Sequence, residues 1–373
     1  MRIVAVGASG NAGTAIARLL APSLTAEDQL VLAGRDASRL DRVRSELTTS
    51  AEVTTSIVDI TDIGRFAEVV AGADLVITTA GRPDLVGALG RVVLDAGADW
   101  FDTMLSTPTK LSALRALEPD IAAAGRCFIT DGGFHPGIPA ALVRWAGDQL
   151  DELVEADVVA GLKVDWMADS VADSTIEEML GEFSDFKMVS FIDGEHRAVR
   201  WTECPTVEFD QPIGRQVVVP MPLAEMDDLP KRFPSLRRCG FYISGFGPKM
   251  DYLMLPLLMV MAKIPLLHRA TVRLTRWSMG HLASTPPPHL LEVRTAARGT
   301  RAGRPALANA KISGADSYLL TAAPAVACLR RVLDGSIRTP GLHLQADLVD
   351  PGPFLHDLAG LGVSVETSLS PVH

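Results

Sequence analysis

The first third of the chain alternates short apolar runs with segments in which apolar residues recur every three or four positions. Short β-branched runs predict buried strands, and the longer period predicts helices. The predicted strands lie at residues 2–6, 30–33, 53–58, 75–79, 99–102 and 127–130. The predicted helices lie at about residues 14–20, 85–96 and 110–124. Strands separated by amphipathic helices are typical of an α/β domain with a doubly wound parallel sheet.

The pattern changes after residue 139, where a predicted helix to about residue 150 is followed by a β-rich run at 154–164. Asp193 and Gly194 form a predicted hairpin turn between strands at 188–192 and 197–201. Further strands are predicted at 215–219, 241–244, 290–297 and 306–312, and Ser174 caps a predicted helix to about residue 183. We therefore expect a second, α+β domain built from hairpins rather than crossovers.

A glycine-rich turn stands between the first predicted strand and the first helix. Gly7, Gly10 and Gly13 have the spacing G-x-x-G-x-x-G. In such a turn, backbone N–H groups point outward at a helix N-terminus, where a pyrophosphate can bind. Gly7 would allow the tight turn, Gly10 the close approach of the phosphates and Gly13 the packing of the helix on the sheet. The strand before and the helix after are the context that a dinucleotide site requires. The alternative is a plain βα turn without a ligand.

Basic residues follow the second predicted strand. Arg35 comes first, and Ser38 and Arg39 stand one helical turn on. An NAD site usually has an acidic residue at this strand end to bind the ribose 2′-hydroxyl, whereas guanidinium groups pair with a phosphate monoester. We therefore predict a 2′-phosphate site and NADP as the cofactor. Asp36 keeps NAD as the second choice, and the alternative to both is a set of solvated charges that opens a helix.

The ends of the third and fourth strands complete the predicted cofactor site. Asp59 would either face the adenine or cap the next helix, and the sequence supports both roles equally. Small residues after the fourth strand would let the nicotinamide ring approach the backbone, and Arg82 follows them. The predicted cofactor contacts are Gly7, Ala8, Ser9, Gly10, Asn11, Ala12, Gly13, Arg35, Ser38, Arg39, Asp59, Ile60, Thr79, Ala80 and Gly81.

The domain boundaries follow from these patterns. A helix predicted at 318–333, broken near Pro324, should return to the first domain because a chain end is easily docked there. We assign residues 1–137 and about 316–373 to a dinucleotide-binding domain. Residues 138–315 form the predicted α+β domain for substrate binding and dimerisation.

Composition and charge narrow the class of protein. The chain has 373 residues and a net charge of −10, which argues against a large nucleic-acid interface. No basic and apolar leader precedes the first strand, so we expect a cytoplasmic protein. The four cysteines, Cys127, Cys204, Cys239 and Cys328, stand far apart without a C-x-x-C pair. They predict neither a metal site nor a disulfide framework.

One apolar segment stands apart from the rest of the chain. Residues 250–267 include only Asp251 and Lys263 among charged groups, but Pro256 and Pro265 interrupt the run. A membrane-spanning helix needs about 20 apolar residues. We favour a buried or dimer-interface element over a membrane-surface patch.

Several blocks of residues carry a family resemblance. They lie at 7–13, 32–36, 59–62, 76–81, 101–103 and 133–137, and near the end at 317–322, 333–335 and 339–341. In these blocks the sequence resembles the saccharopine dehydrogenase-like family of NAD(P)-dependent reductases, densely in the nucleotide domain and thinly between about 165 and 290. The resemblance implies a Rossmann domain and a second α+β domain with substrate contacts and often a dimer interface. It also implies hydride transfer at a carbon–nitrogen bond, imine or amine, of an amino-acid-like small molecule.

Three residues are the predicted catalytic groups. Asp102, Asp131 and His135 end neighbouring strands or begin the next turn, where a histidine could act as acid or base and a carboxylate could hold an ammonium group. His135 departs from the family pattern, which has a small or acidic residue before the proline at position 136. The alternatives are structural: the two carboxylates would brace turns and His135 would bond a carbonyl. Lys163, Arg276 and His281 are weaker candidates from the second domain.

Other functions stay open at this point. A short-chain dehydrogenase is disfavoured because Phe246, Pro256 and Ala322, rather than lysine, stand four residues after the three tyrosines. A non-catalytic NADP-sensing protein would share the nucleotide turn. A membrane-peripheral reductase of a lipid-like substrate would account for the apolar segment at 250–267. We favour the oxidoreductase, as a homodimer.

Overall fold

The computed structural model describes residues 1–164, 176, 187–247, 249–283 and 285–371. The strands are β1 Arg2–Val6, β2 Gln29–Gly34, β3 Glu52–Ile57, β4 Leu75–Thr78, β5 Asp99–Asp102, β6 Cys127–Thr130, β7 Glu152–Glu155, β8 Val158–Lys163, β9 Val189–Ile192, β10 Glu195–Ala198, β11 Thr206–Glu208, β12 Arg215–Pro220, β13 Arg238–Cys239, β14 Phe241–Ser244, β15 Leu290–Arg301, β16 Arg304–Gly314, β17 Gly341–Leu344 and β18 Ser364–Pro371. The α-helices are α1 Asn11–Leu20, α2 Ala37–Glu46, α3 Ile63–Val70, α4 Val86–Asp95, α5 Pro108–Ala123, α6 Pro139–Gln149, α7 Leu229–Arg232, α8 Leu255–Ala262, α9 His268–Ser278, α10 Ser317–Leu333, α11 Gln345–Leu348 and α12 Pro351–Gly360.

The chain divides into two compact units. The first comprises Met1–Ala141 and Tyr318–Val363, and the second comprises Leu142–Ser317 and Ser364–His373. The helix α10 returns to the first unit, as expected from the sequence. The last ten residues differ from the assignment made above, because β18 pairs antiparallel with β16 and so lies in the second unit.

The first unit is built on a seven-stranded sheet in the order β17-β6-β5-β4-β1-β2-β3. All neighbouring strands in it run parallel. The chain passes from β1 outward to β3 and then returns to β4 on the other side of β1, so the strand order reverses between β1 and β4. Ligands of such sheets bind at this reversal, beyond the carboxyl ends of the strands. The predicted α/β fold with a Rossmann-like first domain is confirmed.

Burial of both faces explains why these strands could be predicted. The four residues of β4 are all buried, as are the last four of β1, and crossover helices cover parallel sheets on both sides. The strand β17 was missed because only the first of its four residues is buried. The predicted break near Pro324 was wrong: α10 continues through it, and residues 322–329 are all buried, which compensates for the lost backbone hydrogen bond.

The second unit contains an eleven-stranded mixed sheet within the described ranges. Its main path runs β10-β9-β13-β7-β15-β8-β14-β12-β11, and β16 joins β15 to β18. The predicted Asp193-Gly194 hairpin is confirmed, with positive φ at both residues as its turn requires. The expectation of hairpins without crossovers was wrong, since β14 pairs parallel with β8 and β13 with β7. The β-rich run at 154–164 forms two strands rather than one, and the helix predicted at 174–183 lies outside the described residues apart from Ile176.

The apolar segment at 250–267 is helical in the second unit. A π-helical turn at Met250–Met254 leads into α8, and a 3₁₀ turn at Pro265–Leu267 leads into α9. One side of this segment is buried in a cluster with Met250, Leu258 and Met279 at its centre, but its other side is exposed. The prediction of a buried element therefore holds for only one face. Among the described residues, none of the helices combines the length and the apolar character needed to cross a membrane.

Candidate functional site

The turn after β1 is held by steric contacts that permit no side chain at two of its glycines. Gly7 has φ of +82°, and its N–H donates to the Ala33 carbonyl over 2.9 Å. A Cβ on Gly13 would lie 2.3 Å from the Gly7 carbonyl oxygen, and a Cβ on Gly7 would lie 2.6 Å from the Thr79 hydroxyl. Gly10 is different, because the nearest atom to its Cβ would be 3.2 Å away. Gly7 and Gly13 are thus demanded by the packing of the turn, and Gly10 leaves its outer face open.

Gly10 is also the N-cap of α1, and no side chain caps this helix. The N–H groups of the first helical turn, at Asn11, Ala12 and Gly13, therefore keep the orientation in which a helix N-terminus binds anions. The Asn11 amide donates to the Tyr318 hydroxyl over 2.9 Å, which ties α1 to α10. The turn has no Cβ atoms at its three glycines and has amide hydrogens at the start of α1. It therefore fits a pyrophosphate in size and charge.

After β2, one residue caps the next helix and two exposed arginines stand on either side of it. Asp36 is the N-cap of α2 and accepts hydrogen bonds from the Ser38 hydroxyl (2.7 Å) and the Arg39 N–H (3.1 Å). The hydrogen bond from Ser38 is the main cause of the lowered pKa of the Asp36 carboxyl. Arg35 and Arg39 are exposed. The acidic residue that would favour NAD is thus engaged in capping, and the two guanidinium groups face solvent.

The ends of β3 and β4 carry the remaining predicted contacts. Asp59 accepts from the Thr61 N–H (2.9 Å) and hydroxyl (2.8 Å), and these bonds lower its pKa, with smaller contributions from Arg35 and Arg82. The predicted capping role of Asp59 was wrong, because Asp62 is the N-cap of α3 and accepts from the Arg65 N–H over 2.9 Å, while Asp59 braces the turn before it. The Thr79 hydroxyl lies 3.2 Å from the carbonyl oxygens of Val6 and Gly7 and fastens β4 to the glycine turn. Arg35 and Arg82 both act on the Asp59 carboxylate, so two positive charges lie near it at this edge of the sheet.

A buried charge cluster lies at the ends of β5 and β6. Lys110 donates from Nζ to Asp131 Oδ1 (2.6 Å), to Asp102 Oδ1 (3.1 Å) and to the Met104 carbonyl (2.5 Å). The side chains of Lys110, Asp102 and Asp131 are all fully buried. Asp102 Oδ2 accepts from the Trp100 indole N–H at 2.8 Å, so both of its oxygens have protein partners. We call these three side chains the charge cluster.

Burial and pairing oppose each other in the charge cluster. Burial raises the pKa of Asp131 to about 6, although the Lys110 ammonium acts in the opposite direction. Burial alone would lower the pKa of Lys110, but the carboxylates of Asp102 and Asp131 hold it above its ordinary value. Asp131 Oδ2 is buried and finds no hydrogen-bond partner among the residues that the structure describes. Asp131 also has φ of +60°, so its backbone is strained at the start of the following loop.

His135 and Gln345 lie near this loop. His135 is partly exposed and packs edge-on against the Phe134 ring, with 4.7 Å between ring centroids. Its surroundings desolvate the imidazole and lower its pKa to about 4, so it is neutral at pH 7. Gln345, the first residue of α11, is fully buried, and neither atom of its amide has a hydrogen-bond partner in the described part of the chain. A Cβ on Gly137 would lie 2.6 Å from its Nε2.

The three weaker candidates of the second unit stand on different elements, with Lys163 at the end of β8, Arg276 on α9 and His281 in the π-helical turn after it. Lys163 lines a cleft of about 170 Å³ together with Phe246 and Thr285. Arg276 and His281 lie farther along the helical segment, where the His281 ring stacks on Trp277 with 5.1 Å between centroids. Across the described ranges, no group of three His, Cys, Asp or Glu side chains could hold a metal ion.

The sequence analysis missed Lys110 and Gln345. Lys110 had a signal, because it stands on the apolar face of α5 with Leu114, Leu117 and Ile121 at helical spacing. A lysine on a buried face requires a buried partner. Gln345 had no such signal, since its burial depends on the missed strand β17.

The fold and the turn define a dinucleotide-binding α/β domain. Residues 3–129 match the family model of the saccharopine dehydrogenase NADP binding domain. Among solved structures, the chain is similar to the apo saccharopine dehydrogenase (L-Glu forming) of Saccharomyces cerevisiae, with 14% identity, a TM-score of 0.70 and 99% of each chain covered. It is also similar to the DAP dehydrogenase of C. glutamicum in complex with DAP, with 13% identity, a TM-score of 0.50, and 96% of this chain and 98% of that chain covered. No curated protein matches the chain.

These similarities confirm the resemblance found in the sequence. Residues 3–129 of the first unit match an NADP-binding dehydrogenase domain, and the fold of nearly the whole chain is similar to that of saccharopine dehydrogenase.

Proposed function

We propose that this protein is an NADP-dependent oxidoreductase that transfers a hydride at the carbon–nitrogen bond of an amino-acid-like substrate. The observation that carries the proposal is the glycine turn, whose uncapped amides open at the strand reversal of the sheet. The match of residues 3–129 to an NADP-binding dehydrogenase domain supports it independently.

The preference for NADP rests on the residues after β2. Arg35 and Arg39 would bind the 2′-phosphate, because guanidinium groups form charge-assisted hydrogen bonds with phosphate oxygens. Asp36 is less suited to the ribose hydroxyls of NAD, since one oxygen of its carboxylate, Oδ1, already accepts from the Ser38 hydroxyl and the Arg39 N–H. In this proposal Ser38 exchanges its bond to Asp36 for one to the phosphate. Asp59 and Ile60 would border the adenine, and the backbone of residues 79–81 would border the nicotinamide.

The substrate class is inferred from the similar structures. One is named saccharopine dehydrogenase (L-Glu forming), and another, a DAP dehydrogenase, was solved with DAP. Both names denote dehydrogenases of amino acids, and this supports an amino-acid-like substrate here. The bound nicotinamide would supply or accept the hydride.

The chain's own residues would hold the substrate and move the proton. Asp131 would hold an ammonium group through Oδ2, which has no protein partner in the described residues. His135 would act as a base or a hydrogen-bond acceptor at neutral pH, because its pKa of about 4 leaves the ring unprotonated. We propose Asp102 as a positioning residue rather than a catalytic one, since both of its oxygens bind Trp100, Met104 and Lys110.

A titration with NADPH and NADH tests the cofactor. Arg35→Ala should weaken NADPH binding about 10- to 100-fold, the range of a charge-assisted hydrogen bond, and leave NADH binding unchanged. Arg42→Ala removes an equally exposed arginine from α2 and should change neither affinity. Equal affinity of the wild-type protein for NADPH and NADH would remove the role given to Arg35.

A screen that follows NADPH absorbance tests the reaction. Pairs of amino acids and keto acids should be turned over, and His135→Asn should reduce turnover by at least about tenfold while the NADPH affinity is kept. NADPH binding without turnover of any pair would instead support the sensing protein. We further propose that the protein is a cytoplasmic homodimer. Sedimentation of the purified protein would test the dimer.

A further inference from the structure

The helical segment at 250–267 presents exposed apolar side chains. Leu253 is 70% exposed, Val260 62% and Leu266 93%, and Leu257 and Ile264 are exposed as well. Leu257 and Val260 stand three residues apart within α8 and so lie on one side of that helix, while Leu253 stands in the π-helical turn before it and Ile264 just after it. We call the five side chains the apolar stripe. The opposite side packs inward through Leu258 and its neighbours, and the segment therefore has a fixed outer face.

The next helix presents positive charge. Arg269 and Arg273 stand at i and i+4 on α9 and are both exposed, and we call them the cationic stripe. Trp277, half exposed, stands beside them at the end of the helix. Between residues 249 and 281 there are five Lys or Arg residues and one acidic residue, although the whole chain carries a net charge of −10. The acidic residue, Asp251, accepts bonds from the N–H groups of Phe246 and Gly247 at the base of the segment.

We propose that the apolar stripe and the cationic stripe form a docking surface for an anionic lipid bilayer. Exposed leucine, isoleucine and valine next to arginine, with a tryptophan at the margin, have the chemistry of helices that lie in the interface of a membrane. The net negative charge of the chain does not prevent this, because exposed charges farther away than about 10 Å are largely screened at physiological ionic strength. The local positive charge therefore decides the interaction with the surface.

Charge and size favour a lipid surface over a second copy of this chain. A dimer that buried both stripes would place two sets of arginines in one interface, and like charges would oppose it. The stripe has five side chains, whereas stable interfaces bury roughly 20–30 residues on each side. A bilayer needs no matching partner surface and supplies the opposite charge. The proposal does not depend on the reaction that the first unit catalyses.

Flotation of the full-length protein with vesicles tests the proposal. The protein should float with vesicles of phosphatidylcholine mixed with phosphatidylglycerol, much less with phosphatidylcholine alone, and should be released by high salt. Failure to bind the anionic vesicles, or equal binding to both kinds, would overturn it. The salt dependence needs no variant, so the test stands even if a substitution disturbs folding.

Matched variants separate the two stripes. Val260→Ser and Leu266→Ser should each reduce partitioning about tenfold or more, because each removes apolar surface from the bilayer. The control Val217→Ser changes an exposed valine of β12 and should have no effect. Equal loss in the control would show a general defect and overturn the assignment to the stripe.

The double variant Arg269→Gln/Arg273→Gln should reduce binding to anionic vesicles about 25-fold, since each basic residue near such a surface contributes a factor of about five. The control Arg301→Gln/Arg304→Gln removes the same charge from the β15–β16 hairpin of the same unit, where both arginines are exposed. An unchanged circular dichroism spectrum and urea unfolding midpoint would verify folding in every variant. A wild-type dimer that Val260→Ser dissociates, without vesicle binding, would assign the face to a second copy and overturn the proposal.

Discussion

Two regions at the same edge of the first sheet are built in opposite ways. The turn after β1 exposes backbone N–H groups and has no charged side chain in residues 7–13, whereas the charge cluster after β5 and β6 buries three charged side chains completely. The first region is fixed by the absence of side chains, because Gly7 and Gly13 have no space for a Cβ. The second depends on all three of its side chains being present. The folding stability of an open anion site should therefore change little when its outer face is altered. The folding stability of a closed ion cluster should fall when any of its side chains is replaced.

The largest effect is expected in the charge cluster. Lys110→Met would leave Asp102 and Asp131 buried without their cation, and the free energy of unfolding should fall by about 3–5 kcal/mol. Lys231→Met is the matched control, because Lys231 also pairs with an aspartate, Asp228, over 2.6 Å but is exposed. It should cost less than about 1 kcal/mol. Urea unfolding measures both variants, and equal losses would abolish the distinction between the two regions.

The second effect concerns the pH dependence of stability. The pKa of His135 in the folded protein, about 4, lies below its ordinary value of 6.5, so the unfolded chain binds the proton first as the pH falls. His135 therefore costs stability progressively between pH 6.5 and pH 4, by up to about 3 kcal/mol. Asp131 acts oppositely, since its pKa is raised to about 6 and its protonation favours the folded state over the same range.

Urea unfolding at pH 7 and pH 4 compares His135→Asn with the wild-type protein. The variant lacks the titrating ring, so its stability relative to wild type should improve as the pH falls. A difference that does not change with pH would mean that the imidazole is solvated in the folded protein.

The glycine turn should separate stability from binding. Gly13→Ala places a Cβ against the Gly7 carbonyl and the Thr79 hydroxyl, and overpacking of this kind costs about 1–3 kcal/mol. Gly10→Val places its side chain on the open face, so NADPH binding should be lost while the free energy of unfolding changes by less than about 1 kcal/mol. The two variants are measured by NADPH titration and urea unfolding. Loss of stability in Gly10→Val with retained binding would reverse the roles assigned to these glycines.

The smallest effect is expected at Gln345. Its buried amide lacks a hydrogen-bond partner in the described ranges, so Gln345→Met should leave stability unchanged or raise it by about 1 kcal/mol. The effect contrasts with Lys110→Met, where the buried polar group is fully paired. Thermal unfolding detects the change, and a clear loss of stability would mean that the amide makes a bond of its own.

The predicted elements differ in accuracy for physical reasons. The bounds of β5, β6 and β14 agree residue by residue with the prediction, because at least three of the four residues in each are buried. The strands β17 and β18 were missed, since only one residue of β17 is buried and none of β18 is. The strand β18 pairs with β16, more than 50 residues before it in the chain, and β17 pairs with β6, more than 200 residues before it. The strand conformation of both depends on these distant partners.

The candidate site divides in the same way. The turn at Gly7, Gly10 and Gly13 could be predicted because a strand, a turn and a helix adjoin in the chain. The role of Asp36 as a helix cap and that of Asp59 in bracing a turn are also local, since each binds groups two or three residues further on. The partner of Asp131 could not be predicted, because Lys110 stands 21 residues before it on another element.

The sequence by itself determined the parallel sheet, the glycine turn and the class of ligand that such a turn accepts, because each depends on neighbouring residues and on periodic burial. The tertiary structure alone decided which charges are paired, which carboxyl holds its proton near pH 6, and that the apolar stripe faces outward. Those properties depend on distances between residues remote in the chain and on the solvent excluded between them, and both arise only when the elements pack.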